Sequence, residues 1–177
     1  TKSILHLLKE LKERLNITII LITHEMAVIK EICDRVSVME DGEIIEEGSM
    51  VKIFSQPSKK TTREFLDFFS NRGKIDILLN HESNIFNIKE GDVLARVTYV
   101  GEATKEALIS RISREYNLDA SILYGNLEIL GITPVGELII LFSGEKGDIQ
   151  NAIDYFRQKG LIVEVINNGK YTSEIYT

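Results

Sequence analysis

From Ile4 to Leu15 the apolar residues Ile4, Leu7, Leu8, Leu11 and Leu15 recur at helical spacing, with Lys9, Glu10 and Glu13 on the other side. The spacing predicts an amphipathic helix ending near Asn16. The period then changes. Ile17 to Thr23 is a continuous, largely β-branched run, the pattern of a strand covered on both faces as in a parallel sheet. His24 stands where that strand stops. A helix from about Glu25 to Cys33 follows, then two strand-like runs, Arg35–Glu40 and Glu43–Glu47, joined by Asp41-Gly42, a pair that tolerates the positive φ of a tight hairpin turn. Ser49 is placed to cap a short helix through Phe54 that Pro57 stops, and a further helix runs from about Thr61 to Phe69.

Residues 71–91 change character: Asn71, Arg72, Gly73, Asn80, His81, Glu82, Ser83 and Asn84 break up short apolar patches, which reads as a linker. From Asp92 the pattern restarts with a strand, Val93–Val100, whose residues Val93, Ala95, Val97 and Tyr99 share a face. Gly101 ends it. Thr104 is placed to cap a helix with Leu108, Ile109, Ile112 and Tyr116 as its stripe, and Asn117 closes that helix. Two strands, Ser121–Leu130 and Glu137–Ser143, are expected to join through Gly131, Pro134 and Gly136. A second helix opens at Gly147-Asp148, carries Ile149, Ala152, Ile153 and Phe156 on one side, and ends at Gly160 as its C-cap. The last strand is Leu161–Ile166. The order β-α-β-β-α-β is that of a ferredoxin-like (ACT-like) α+β domain over residues 92–166, with two helices on one face of an antiparallel sheet. Residues 167–177 read as a polar tail.

Composition narrows the function classes. At 44% hydrophobic and 27% charged over 177 residues the chain has a globular profile, and none of its apolar runs reaches the ~20 residues that cross a bilayer. The start of the chain lacks a secretory pattern, so a cytosolic setting is the default expectation. A net charge of −6 argues against nucleic acid as a partner, because phosphate backbones are bound by clustered Lys and Arg. RNA-binding modules share the strand order, but they need a basic surround and aromatic residues on the open sheet face. A lone Cys33 supplies neither a disulfide nor a thiolate cluster and reads as core packing. His6 and His81 belong to no metal-spaced cluster, so no metal site is expected.

Two stretches resemble known families. Ile19-Ile20-Leu21-Ile22-Thr23-His24-Glu25-Met26 looks like the switch-histidine segment of ABC ATPases. The run from Cys33 through Asp41-Gly42 to Gly48 resembles the hairpin that closes those domains, and Phe54-Ser55-Gln56-Pro57 resembles the segment after it. The match covers residues 1–70 and implies the C-terminal fragment of an ABC ATP-binding domain, with α/β architecture. Residues 92–166 are similar to the small NIL domain appended to the ATP-binding subunit of methionine importers. Here the triplet that names the domain reads Ser121-Ile122-Leu123, with Ser121 where the family usually has Asn; a hydroxyl replaces an amide that both donates and accepts.

The resemblance carries further expectations. His24 is the catalytic candidate, the histidine that would hydrogen-bond the γ-phosphate and attacking water of ATP; a ring at the end of a parallel strand also sits where phosphates bind in such folds. No phosphate loop or signature Ser-Gly-Gly occurs in the chain, so ATP and magnesium are cofactors of the full-length protein, and these residues alone should neither bind nor hydrolyse ATP. The full-length enzyme is expected to hydrolyse ATP to import methionine or a related amino acid, to sit on the cytoplasmic face of the cell membrane, and to partner a membrane permease. Ser121–Leu130 is expected to be an edge strand that pairs with a second copy in a homodimer. An amino acid regulator, methionine first, would bind where the copies meet, near Ser121, Ile122, Leu123 and Phe142, and feed back on transport. The other reading of the domain is a dimerisation module without a ligand.

Overall fold

The structure, a computed structural model, describes residues 2–69, 88–167 and 170–171. The expected linker falls largely outside the described residues, as does His81. Contacts divide the chain into two compact units, Thr1–Phe69 with Ile129–Thr133, and Ser70–Glu128 with Pro134–Thr177.

The first unit opens with helix α1, Lys2–Leu15. Its expected apolar stripe does not become a core face: Leu5 is buried, whereas Ile4, Leu7, Leu11 and Leu15 are exposed. The expected strand at Ile17–Thr23 is not formed either. A parallel strand of the interior draws its backbone hydrogen bonds from neighbours on both edges, and no described residue pairs with this segment. Helix α2, Met26–Ile32, follows. Strands β1 (Arg35–Glu40) and β2 (Glu43–Ser49) then form the expected hairpin, closed by the Glu40 and Glu43 pair. Its turn residues Asp41 (φ 50°) and Gly42 (φ 85°) are both left-handed, as a two-residue turn that follows strand twist requires.

The hairpin anchors what comes after it. Ser49 caps helix α3, Met50–Ser55, its hydroxyl oxygen accepting from the Lys52 amide at 3.3 Å, and Met50, Ile53 and Phe54 are buried. Helix α4, Lys60–Phe69, is held at its N-terminal end by two hairpin carboxylates. Glu46 accepts from the Ser58 amide (2.7 Å), the Ser58 hydroxyl (2.8 Å) and the Lys59 amide (3.1 Å), while the Thr61 hydroxyl donates to Glu40 at 3.2 Å. A carboxylate at a helix N-terminus satisfies amides that the helix itself cannot. Desolvation would raise the Glu46 carboxyl. The bonds from Ser58 and Lys59, helped by the Thr62 hydroxyl close by but outside hydrogen-bond geometry, outweigh it and bring it from 4.5 to about 2.

The second unit is built on strand β3, Val93–Val100, which pairs antiparallel with β5 (Thr133–Ser143) on one side and β6 (Ile162–Asn167) on the other. Strand β4, Asp119–Leu130, lies beyond β5, and a short strand β7, Lys170–Tyr171, lies beyond β6, so the sheet order is β4-β5-β3-β6-β7. Helices α5 (Leu108–Glu115) and α6 (Lys146–Gln158) cover one face. Val93, Ala95, Val97 and Tyr99 of β3 pack there with Leu108 and Ile112 of α5 and Ile149, Ile153 and Phe156 of α6. The opposite face carries a smaller cluster of Leu94, Ile139, Leu141 and Ile166.

Three local expectations are corrected. Thr104 does not cap α5: it lies in a 3-10 turn, Gly101–Lys105, its hydroxyl donating to the Gly101 carbonyl at 2.7 Å, and α5 begins only at Leu108. That local bond competes with helix capping, as hydroxyls near turns do. Pro134 and Gly136 lie inside β5, and of the three residues expected to join β4 to β5 only Gly131 (φ 63°) is in the turn. The polar tail contributes a two-residue strand, β7 (Lys170–Tyr171), paired with β6 through Ile166 and Asn167.

Candidate functional site

His24 lies in the irregular stretch before α2, exposed to solvent. The local geometry is set by its neighbours: the Glu25 amide donates to the Thr23 hydroxyl oxygen at 3.0 Å, and Glu25 takes the extended backbone of the residue that precedes a helix. Among the described residues no group of three His, Cys, Asp or Glu side chains is placed to hold a metal ion. Cys33 is half-buried, and burial, with Asp34 adding to it, pushes its thiol up and away from reactivity.

The second candidate set is divided by the sheet. Strand β4 is at the edge, with Ser121 and Ile122 exposed, Ile122 to 54%. Leu123 is half-buried and packs with Tyr124 on the face away from the helices, against Leu94, Ile139, Leu141 and Ile166. Phe142 is not with them. It is fully buried on the helix side, its ring centroid 6.2 Å from that of Phe156. The strand alternation that puts Leu141 on one face sends Phe142 to the other, so the fold brings Ser121, Ile122 and Leu123 together at an edge and assigns Phe142 to the core.

Two polar features went unnoticed in the pattern of the sequence. Arg96 and Glu137 are buried to 5% exposure, with Glu164 beside them; the guanidinium lies 3.9 Å from each carboxylate. The signal was available, since each residue is the only charge in an otherwise uncharged strand. The other is the hydroxyl of Tyr99, a residue expected on the shared face of β3 for its ring: it is buried on the helix side, where desolvation drives the phenol strongly upward.

Comparison with known proteins defines the class. Residues 93–165, which include most of the second unit, match the family model described as the NIL domain. The chain is also 40% identical over 166 residues, 94% of its length, to the methionine import ATP-binding protein MetN of Streptococcus pneumoniae. It is 37% identical over 169 residues to the protein of that name from Streptococcus thermophilus, covering 96% of this chain and 48% of the relative. The chain spans about half the length of the curated relatives it matches, 47% of the pneumococcal protein, and corresponds to their C-terminal part. A solved structure described as the C-terminal domain of an ABC transporter ATP-binding protein from Enterococcus faecalis aligns with 51% of this chain and 97% of its own, at 28% identity and a TM-score of 0.40.

Proposed function

We propose that the chain is the C-terminal portion of the ATP-binding subunit of an ABC importer for methionine or a related amino acid, and that its NIL domain binds the amino acid to restrain transport. The observation that carries this reading is the 40% identity to a methionine import ATP-binding protein along 94% of the chain, across both units. Two structural features support it. The exposed β-branched segment Ile17–Ile22 has the composition of an interior parallel strand and would be completed by strands from the rest of an ATPase domain. The first and last strands of the β-α-β-β-α-β series lie side by side in the middle of the sheet under a single helix layer, which supports reading the unit as a ferredoxin-like, ACT-like domain.

In that whole protein the residues divide their work. His24, exposed in the irregular stretch before α2, would donate a hydrogen bond to the γ-phosphate and orient water. ATP and magnesium would be held by residues outside this chain, since its sequence contains no phosphate loop. Replacing His24 by Ala in the full-length subunit lowers turnover by about 10² to 10³ with ATP binding retained, the scale for loss of one transition-state hydrogen bond. Association with a permease would place the protein at the cytoplasmic face of the membrane; among the described residues no helix is long and apolar enough to cross one.

The exposed edge strand β4, with Ile122 and Leu127 facing solvent, supports pairing with a second copy. The amino acid would lie there, its charged ends on backbone groups and Ser121 and its side chain beside Ile122 and Leu123. Bound ligand that favours one pairing of the NIL domains shifts the attached ATPase domains away from closure, a coupling of about 1 to 3 kcal/mol. Thermal unfolding of this chain with added amino acids tests the reading: methionine or a close relative at about 100 times its dissociation constant stabilises by about 2.7 kcal/mol. A dimer that no amino acid stabilises would leave β4 as a dimerisation edge without a ligand.

A further inference from the structure

Three strands in the middle of the NIL sheet carry one charge each: Arg96 in β3, Glu137 in β5 and Glu164 in β6. Strand pairing brings the three together. Arg96 is opposite Glu164 across the β3–β6 ladder, and Glu137 is opposite Thr98, one diagonal step from Arg96 across the β3–β5 ladder. Arg96, Glu137 and Thr98 are buried, and the guanidinium is equidistant, at 3.9 Å, from the two carboxylates.

The surrounding apolar pattern does little to choose a register. Every residue of β3 from Val93 to Tyr99 is buried, so both of its faces lie in apolar surroundings. On β5, Ile139 and Leu141 point one way and Ile140 and Phe142 the other, and all four are buried. Register is well specified where one face is apolar and the other polar, and poorly where the two are alike, because a one-residue slip exchanges the faces. A slip of β3 would turn Leu94, Arg96 and Thr98 toward the helices. Among the described residues the buried charges are Arg96 and Glu137, and Glu137 lies in the row of Ile139 and Leu141 away from the helices, so the guanidinium would be buried there without a carboxylate.

We propose that the Arg96–Glu137–Glu164 ladder is the register lock of this sheet: it decides which row of β3 meets the helices, and with it the alignment of β5 and of the edge strand β4 paired to it. A single buried polar group can fix register in this way at some cost in stability. The lock is independent of any ligand or transporter, and concerns only how the strands pair.

The test uses the whole 177-residue chain and two variants. Arg96→Met alone leaves the Glu137 carboxylate buried without its cation, and lowers the thermal midpoint by about 10 °C or more. The triple variant Arg96→Met, Glu137→Leu, Glu164→Val replaces the ladder by apolar side chains. It regains at least half of that loss, yet gives a second set of amide resonances along β3, β5 and β6, with part of the population showing cross-strand contacts shifted by one residue. A triple variant with one set of resonances and Arg96→Met tolerated without loss would overturn the proposal. So would a triple variant that stays folded in the original register, or one that fails to fold, since the ladder would then serve stability and not the choice of register.

Discussion

Ile17–Ile22 and Val93–Tyr99 are close in character, short runs rich in β-branched residues, and their fates in the structure are opposite. The apolar residues of the first are between 36% and 93% exposed and form no strand, whereas no residue of the second exceeds 7%. The second run pairs with β5 on one edge and β6 on the other and lies under two helices. The first has no described partner on either edge. Composition qualifies a segment for the interior of a sheet, but the strand exists only once its backbone groups and both side-chain rows have somewhere to go.

Core truncation in the NIL unit is where that contrast has its largest effect. Phe156→Ala removes a fully buried ring packed on Phe142 and costs about 3 to 5 kcal/mol, read from denaturant unfolding of the NIL unit's transition. A loss under about 1 kcal/mol would mean that the helix layer is not the core. Glu46→Gln is intermediate, about 1 kcal/mol after allowing for its partial exposure to solvent, because it removes the charge that holds the start of α4. This contribution depends on pH in a defined direction. The folded carboxyl titrates below its unfolded value of 4.5, so the stability is present above about pH 4.5 and is lost as pH falls toward about 2. Stability curves of the parent and the Gln variant, parallel at neutral pH, should converge through that acid window; curves that stay apart would place the effect elsewhere. The smallest effect belongs to the exposed run: Ile22→Ser changes the stability of this chain by no more than about 0.5 kcal/mol. In a full-length subunit, where the segment would be an interior strand, the same change is expected to cost several times more, and equal effects in both settings would break the comparison.

The candidate site was legible to different depths. His24 and the triplet Ser121-Ile122-Leu123 stood out through motif resemblance, and the structure places the first in an exposed turn and Ser121 and Ile122 on an exposed edge strand. Phe142 was misplaced because a run as uniformly apolar as Leu138–Phe142 shows no alternation from which to tell its two faces apart. Arg96 and Glu137 escaped notice because a lone charge in a strand ordinarily points to water, and only their pairing across β3 and β5 reveals a buried partner.

What the sequence determined by itself is the local chemistry: the left-handed Asp41-Gly42 turn, the Ser49 cap, the Gly160 helix stop at φ 79° and the β-α-β-β-α-β order from Val93 to Asn167. These depend on residues within a few positions of one another, whose φ preferences and capping groups act before any tertiary contact forms. What only the tertiary structure decided is which apolar runs become interior and which face each strand turns to the helices. Those outcomes depend on partners tens of residues away, whose presence and register no local pattern contains.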